Sequence, residues 1–253
     1  MPVDTASTIS AASVLRRAEG RFYIGMALAA AATALAGFAP AIFDDASRKA
    51  PLNWATGAHG AVFSAWLALF LTQALLVFNG RIALHRLLGC VGAGLAVIML
   101  VSGYFTTIAM ARRGYDLSGD LIGESGDPLM VMVFQLGDLF CFGILVAMGI
   151  LFRYRPDAHK RLMLLATVGA LMPAALSHII GHSSFLRGFH PAIILIPWTA
   201  LLFAGAVHDR LFRGRMHPVS LWGALLVWLW SNVRAAIIGP SDLWREFANW
   251  LIS

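Results

Sequence analysis

Long apolar blocks alternate with short polar connections along the whole chain. Seven of the blocks come near the twenty or so residues that a spanning helix needs: Phe22–Phe43, His59–Asn79, Leu87–Ala111, Leu129–Phe152, Leu162–Ile180, Ala192–Phe212 and Val219–Ile238. The pattern predicts an all-α, polytopic membrane helical bundle of seven transmembrane helices. No composition break marks a second domain, so 1–253 reads as one membrane-embedded unit. It divides into an N-terminal segment (1–21), the bundle (22–240) and a short amphipathic C-terminal helix (241–253). In that last helix Ser241 is placed to cap, and Trp244, Phe247 and Leu251 share an apolar face suited to the membrane interface.

The stretch from His59 to Gly89 organises the rest. His59, Trp66 and Gln73 are spaced by seven, two helical turns, and so share one face of span 2. Span 3 follows after a short basic connection. Its small residues, Gly89, Gly92, Ala93, Ala96 and Gly103, allow close helix approach and place it at the centre of the bundle. LHRLLG at 84–89 and AHKRLM at 158–163 each put a histidine beside basic residues at the start of a span. This is a weak internal repeat, and it predicts two similar hairpins, spans 2–3 and 4–5, flanked by spans 1, 6 and 7.

Composition adds direction. Residues of the hydrophobic types make up 59% and charged residues 13%, against about 25% charged in a soluble domain. The formal net charge of +6 would suit nucleic acid in a soluble protein. Here Lys and Arg lie between apolar blocks, where they set topology and meet anionic lipid headgroups, so membrane lipids and not nucleic acid are the expected partners. Arg16, Arg17 and Arg21, then Arg81 and Arg86, then Arg153, Arg155, Lys160 and Arg161, then Arg210, Arg213 and Arg215 all fall on one side of a seven-span chain. The positive-inside rule makes that side, and the N-terminus, cytoplasmic in a bacterial inner (plasma) membrane. The first apolar block is too long for a signal-peptide core and is expected to stay as span 1. Cys90 and Cys141 fall inside apolar segments and read as packed side chains. The connection from Arg112 to Pro128, rich in glycine and acids, reads as a mobile external loop.

An ionisable group within a bilayer costs about 2.5–3.5 kcal/mol on insertion scales, so each needs a reason. Asp138 lies near the middle of span 4 with Gln135 one turn away, and Arg234 lies in the outer part of span 7. Asp138 and Arg234 either pin two helices together as a pair or, with Gln135, shape an outer pocket for a quinone or a haem propionate. His59 and His178 fall at similar outer depth on different helices, and His85 and His159 at similar inner depth. Two cross-helix histidine pairs, one per leaflet, are what a membrane diheme needs. Trp66 and Phe70 read as core packing. His190, His208 and His217 sit in or beside loops and are assigned no role.

Two segments carry a resemblance: HGAVFSAWLALFLTQALLVFNGRIALHRLLG, and FQLGDLFCFGILVAMGILFRYRPDAHKRLMLLATVGALMPAA. They resemble a group of bacterial multi-pass membrane proteins of unassigned activity. That group is in turn distantly similar to the diheme b-type cytochromes with a four-helix core. The resemblance covers spans 2–5 and implies a haem b-bearing electron-transfer core, with a redox protein or a quinone as partner. It carries over to His59, His85 and His159, with His178 as the fourth ligand and His182 as its substitute. An alternative comes from a different class. His59, His178, His182 and Asp138 supply the residue types of an intramembrane zinc hydrolase, three histidines and a carboxylate around a metal-bound water. A third is a lipid- or quinone-binding structural or transport protein without catalysis.

Overall fold

The structure, a computed structural model, describes residues 5–44, 51–115, 122, 126–183 and 192–253. It is built of helices α1 (Thr5–Phe43), α2 (Trp54–Phe78), α3 (Ile82–Arg113), α4 (Pro128–Leu151), α5 (Pro156–Ala170), α6 (Met172–His182), α7 (Ala192–Arg213), α8 (Pro218–Val233) and α9 (Asp242–Ile252). Among the described residues, six helical stretches are long and apolar enough to cross a membrane: Val14–Phe43, Trp54–Phe78, Ile82–Arg113, Pro128–Leu151, Pro156–Ile180 and Pro218–Ile238. The remaining expected span corresponds to α7, whose last turns carry His208, Asp209, Arg210 and Arg213. Most of the connection expected to form the external loop, Arg112 to Pro128, lies outside the described residues.

Helix starts are set by local chemistry and fall earlier than hydropathy alone suggests. At α2 the Asn53 side chain accepts from Thr56 N at 2.9 Å while Thr56 Oγ1 accepts from Asn53 N at 3.1 Å. This reciprocal cap opens the helix five residues before His59. After α2 the chain turns through Gly80, whose φ of +73° favours glycine. Asp127 caps α4, and Pro156 opens α5 at a position where the missing N–H costs nothing. The two hairpin turns differ in length, and the positive-φ glycine belongs to the first alone, but they share one feature. Arg81 and Arg155 are the N-cap residues, and His85 and His159 each stand four residues later, bonded back through the backbone to those same arginines.

The pairings α2–α3 and α4–α5 are the most extensive in the bundle, α4 joins the two hairpins through α3, and α1 packs on both α2 and α6. This is the arrangement the internal repeat predicts. The centre is a different helix from the one expected. In α5–α6, 61% of the best spanning stretch is buried, against 22% in α3. Alpha3 lies at the side, with Val91, Val97, Ile98, Val101 and Phe105 exposed. Its small residues admit side chains and not another helix's backbone: a Cβ on Gly92 would meet Leu69, and one on Gly103 would overlap Leu139.

The expected span 5 is broken in two. Pro173 cannot donate to the Gly169 carbonyl one turn back, and the helix restarts at Met172. The released carbonyl accepts instead from the Trp198 indole of α7 at 3.2 Å, so a buried orphan becomes a tie between helices. Where α6 meets α1, backbones touch. A Cβ at Gly37 would lie 2.9 Å from Ala175 Cα and closer still to its carbonyl oxygen, with no flexible side chain to yield. Gly37→Val should lower stability by about 2–3 kcal/mol, read as a drop in the thermal unfolding midpoint in detergent. An unchanged midpoint would mean that α1 and α6 can separate freely.

At the opposite end the chain leaves α3 through Gly114 and Tyr115, both at positive φ, with Tyr115 N–H returning to the Met110 carbonyl at 2.9 Å. Tyr115 is fully buried in a second apolar cluster with Met132, Trp244 and Ala248, and that burial pushes its phenol well above the usual range. Alpha9 is therefore docked as well as amphipathic. Trp244 and Ala248 face the bundle, while Phe247 and Trp250 stay exposed. The expected shared face of Trp244, Phe247 and Leu251 is thus corrected by one position: Ala248 takes the inward place of Phe247. The Trp244 indole donates to the Leu129 carbonyl at 2.8 Å and Arg112 reaches the Ile252 carbonyl at 2.8 Å.

Candidate functional site

The inward face of α2 is as its spacing predicts. Trp66 is buried, stands edge-on to Phe142 and donates to Thr167 Oγ1 at 3.2 Å. One helical face thus reaches α4 and α5. Two turns toward the basic end, Gln73 donates to the His85 carbonyl at 3.1 Å and fixes the first turn of α3 against α2.

His85 and His159 come together. Their ring centroids are 6.2 Å apart and the rings are nearly perpendicular, at 83°. His159 Nδ1 lies 2.8 Å from the Gly149 carbonyl. A carbonyl only accepts, so Nδ1 carries a proton and donates. That carbonyl belongs to α4, so the hairpin partner orients the ring. His85 Nδ1 and Gln73 Oε1 are buried with no hydrogen-bond partner among the described residues. The arrangement is two half-buried imidazoles from separate hairpins, one with its tautomer set, beside unsatisfied polar atoms. It can hold a metal centre between two nitrogens, and Arg81, Arg86, Arg153 and Arg155 on the adjoining turns suit an anionic group.

His59 and His178, the other expected pair, meet different neighbours. His59 packs against Phe63, with centroids 4.2 Å apart, and against the Ser102 backbone of α3. His178 is buried against Phe38 of α1, with centroids 4.8 Å apart. The His182 side chain lies outside the described residues. Among the described residues no three His, Cys, Asp or Glu side chains gather as a metal-holding group. Cys90 and Cys141 are both free thiols.

Asp138 and Arg234 form an ion pair, Nη2 to Oδ1 at 2.5 Å. Arg234 also donates to the Phe134 carbonyl at 2.5 Å and lies over the Phe134 and Trp230 rings. It opens a π-helical turn, Arg234–Ile238, at the end of α8. Gln135, the other expected pocket residue, is half-buried nearby.

A second buried charged cluster lies at the basic end of the bundle. Arg161, Asp209 and Ser220 are all nearly inaccessible. Arg161 donates to both Asp209 oxygens and, through Nε, lies 3.0 Å from Ser220 Oγ; Ser220 Oγ donates to Asp209 at 2.5 Å. Around it, Arg161 reaches the Asp157 carbonyl at 2.6 Å, and Lys160 and Arg213 each bind both Glu19 and Asp157. Helices α1, α5, α7 and α8 are pinned together at the basic end. His217, the N-cap of α8, accepts from Val219 N–H at 3.2 Å; burial, then the Arg161 charge, holds its imidazole below the usual histidine range, in the neutral form that can accept. The sequence did carry a signal. Asp209 lies within an apolar block and therefore requires a partner, but Arg161 reads as the last residue of a basic loop. His208, beside Asp209, is buried as well. The chain matches no family model, no curated protein and no solved structure.

Proposed function

We propose that the chain is a seven-span protein of a bacterial plasma membrane, N-terminus cytoplasmic, which holds one haem b at its cytoplasmic end between His85 and His159 and serves in transmembrane electron transfer. The observation that carries this reading is the meeting of these two rings from equivalent positions of two hairpins. The ring centroids lie 6.2 Å apart, so both side chains would be within reach of one group bound between the hairpins. The Gly149 carbonyl orients His159, and Gln73 fixes the backbone that bears His85. A haem bound there supplies one-electron chemistry. The surrounding arginines favour its carboxylates and make the site face the cytoplasm. The second, outer haem of the sequence reading has no comparable support, since His59 and His178 pack against different helices.

The test is the visible spectrum of the full chain extracted from membranes. A single reducible b-type component is expected. His85→Ala and His159→Ala should each lower haem occupancy at least about tenfold, whereas His59→Ala and His178→Ala leave it. A colourless preparation carrying stoichiometric zinc would sink the proposal in favour of the hydrolase reading.

A further inference from the structure

Helix α7 ends at Arg213, Gly214 turns the chain at a φ of +71°, and His217 is the N-cap of α8. Two ties hold the first turn of α8 in place. Ser220 Oγ donates to Asp209 of α7 and meets Arg161 Nε of α5 at 3.0 Å. His217 Nδ1 accepts from Val219 N–H at 3.2 Å. The first tie is closed off, with Ser220 3% exposed. The second is half-buried, so solvent protons reach it.

Histidine is an unusual N-cap, because the position needs an acceptor. Ser, Thr, Asp and Asn accept throughout the neutral range, whereas an imidazole accepts only at an unprotonated nitrogen. A protonated ring strands Val219 N–H and sets a positive charge at a helix N-terminus, where the macrodipole disfavours one. The surroundings give that charge little relief. The ring faces Arg161 and Asp157 from α5, and Asp209 and Arg213 from α7. From α1, Glu19 binds Lys160 and Arg213, and Tyr23 lies near Arg161; His208 is stacked on Phe22 and Phe212. Both nearby acids are already taken, Asp209 by Arg161 and Ser220, and Asp157 by Lys160, Arg161 and Arg213. We propose that the α7–α8 turn is a proton-operated latch, closed while His217 is neutral and released when His217 takes up a proton and swings off the N-terminus of α8. Burial, then the Arg161 charge, holds the ring below the usual histidine range. The cap is therefore complete above about pH 6.5, where an unfolded histidine is neutral as well, and is lost as the pH falls below it. Release is local, because Ser220 keeps its bonds to Asp209 and Arg161. The latch stands apart from His85 and His159 and works with or without haem.

The test is amide hydrogen exchange of the full chain in detergent, at about pH 7.5 and about pH 5, corrected for the intrinsic pH dependence of exchange. Protection of the first turn of α8, from Val219, should fall about fivefold at the lower pH, the worth of one cap. His217→Asn keeps an acceptor that does not titrate, so its protection should match wild type at the higher pH and hold at the lower. His217→Ser serves the same purpose if the asparagine variant does not fold. His217→Ala should show the low protection at both. His85→Ala should keep the wild-type pH response, which separates this device from the haem site. Wild-type protection that does not change with pH overturns the proposal. So does an equal fall in His217→Asn, which would move the response to Glu19, Asp157 or His208, or an equal fall in α9, which would make it general acid unfolding.

Discussion

Asp209→Ala should destabilise the bundle by about 4–5 kcal/mol, the upper part of the range for breaking a buried ion pair. The substitution removes both carboxylate oxygens that Arg161 engages, together with the acceptor for Ser220 Oγ. The guanidinium then stays 2% exposed among α5, α7 and α8. It keeps Ser220 Oγ, the Asp157 carbonyl and the more distant Asp157 carboxylate at 3.4 Å, and it cannot shed its proton. Arg161→Leu is the milder change, about 3 kcal/mol, because Asp209 can take up a proton and still bond Ser220. The double variant Arg161→Leu/Asp209→Leu should recover much of the loss, as buried pairs replaced by apolar side chains commonly do. Unfolding in detergent of the four proteins closes a double-mutant cycle with a large coupling. Additive losses would show that each side chain is held by something other than its partner.

This cluster also marks where the sequence stops being legible. Apolar block length yields the membrane helices because a bilayer leaves the backbone no other partner. The hairpin repeat is visible because the same spacing, an arginine at the N-cap position and a histidine four residues on, recurs at Arg81 and Arg155. The pairing of His85 with His159 follows from that equivalence. The central position of α5 is hidden. In a membrane both lipid-facing and buried helices are apolar, so hydropathy does not separate α3 from α5, and the small residues of α3 fit leucine side chains as readily as a backbone. The split at Leu171 is readable from Pro173, but the Trp198 indole that satisfies Gly169 is a tertiary matter. His208 shows the same limit: whether a histidine near a helix end meets solvent or the Phe22 ring depends on α1, which its local sequence does not contain.

Asp138→Ala should cost about 3–5 kcal/mol, and more than Arg234→Ala, for the same reason of unequal proton chemistry. Arg234 is locked from several sides. Its two terminal nitrogens reach Asp138 and the Phe134 carbonyl, Phe134 and Trp230 flank it, and Trp230 donates to the Gly137 carbonyl at 2.9 Å. Gly137 lies directly against the arginine stem, leaving no space for a Cβ. Gly137→Ala should therefore mimic the loss of Arg234 in part, about 1–3 kcal/mol, by forcing the stem off its carbonyl and carboxylate. Arg234→Lys should not rescue, since one ammonium cannot span both acceptors in the geometry of the fork. The π-helical turn that begins at Arg234 belongs to the same unit: Gly239 N–H returns to the Arg234 carbonyl at 2.8 Å, which widens the helix where the side chain enters α4. The sequence allowed two roles for this pair, a helix pin or a ligand-shaping pocket, and the variants separate them. For a pin, the apolar double variant Asp138→Leu/Arg234→Leu recovers much of the stability that either single variant loses. For a functional pocket, the losses of the two single variants add and the double variant recovers nothing.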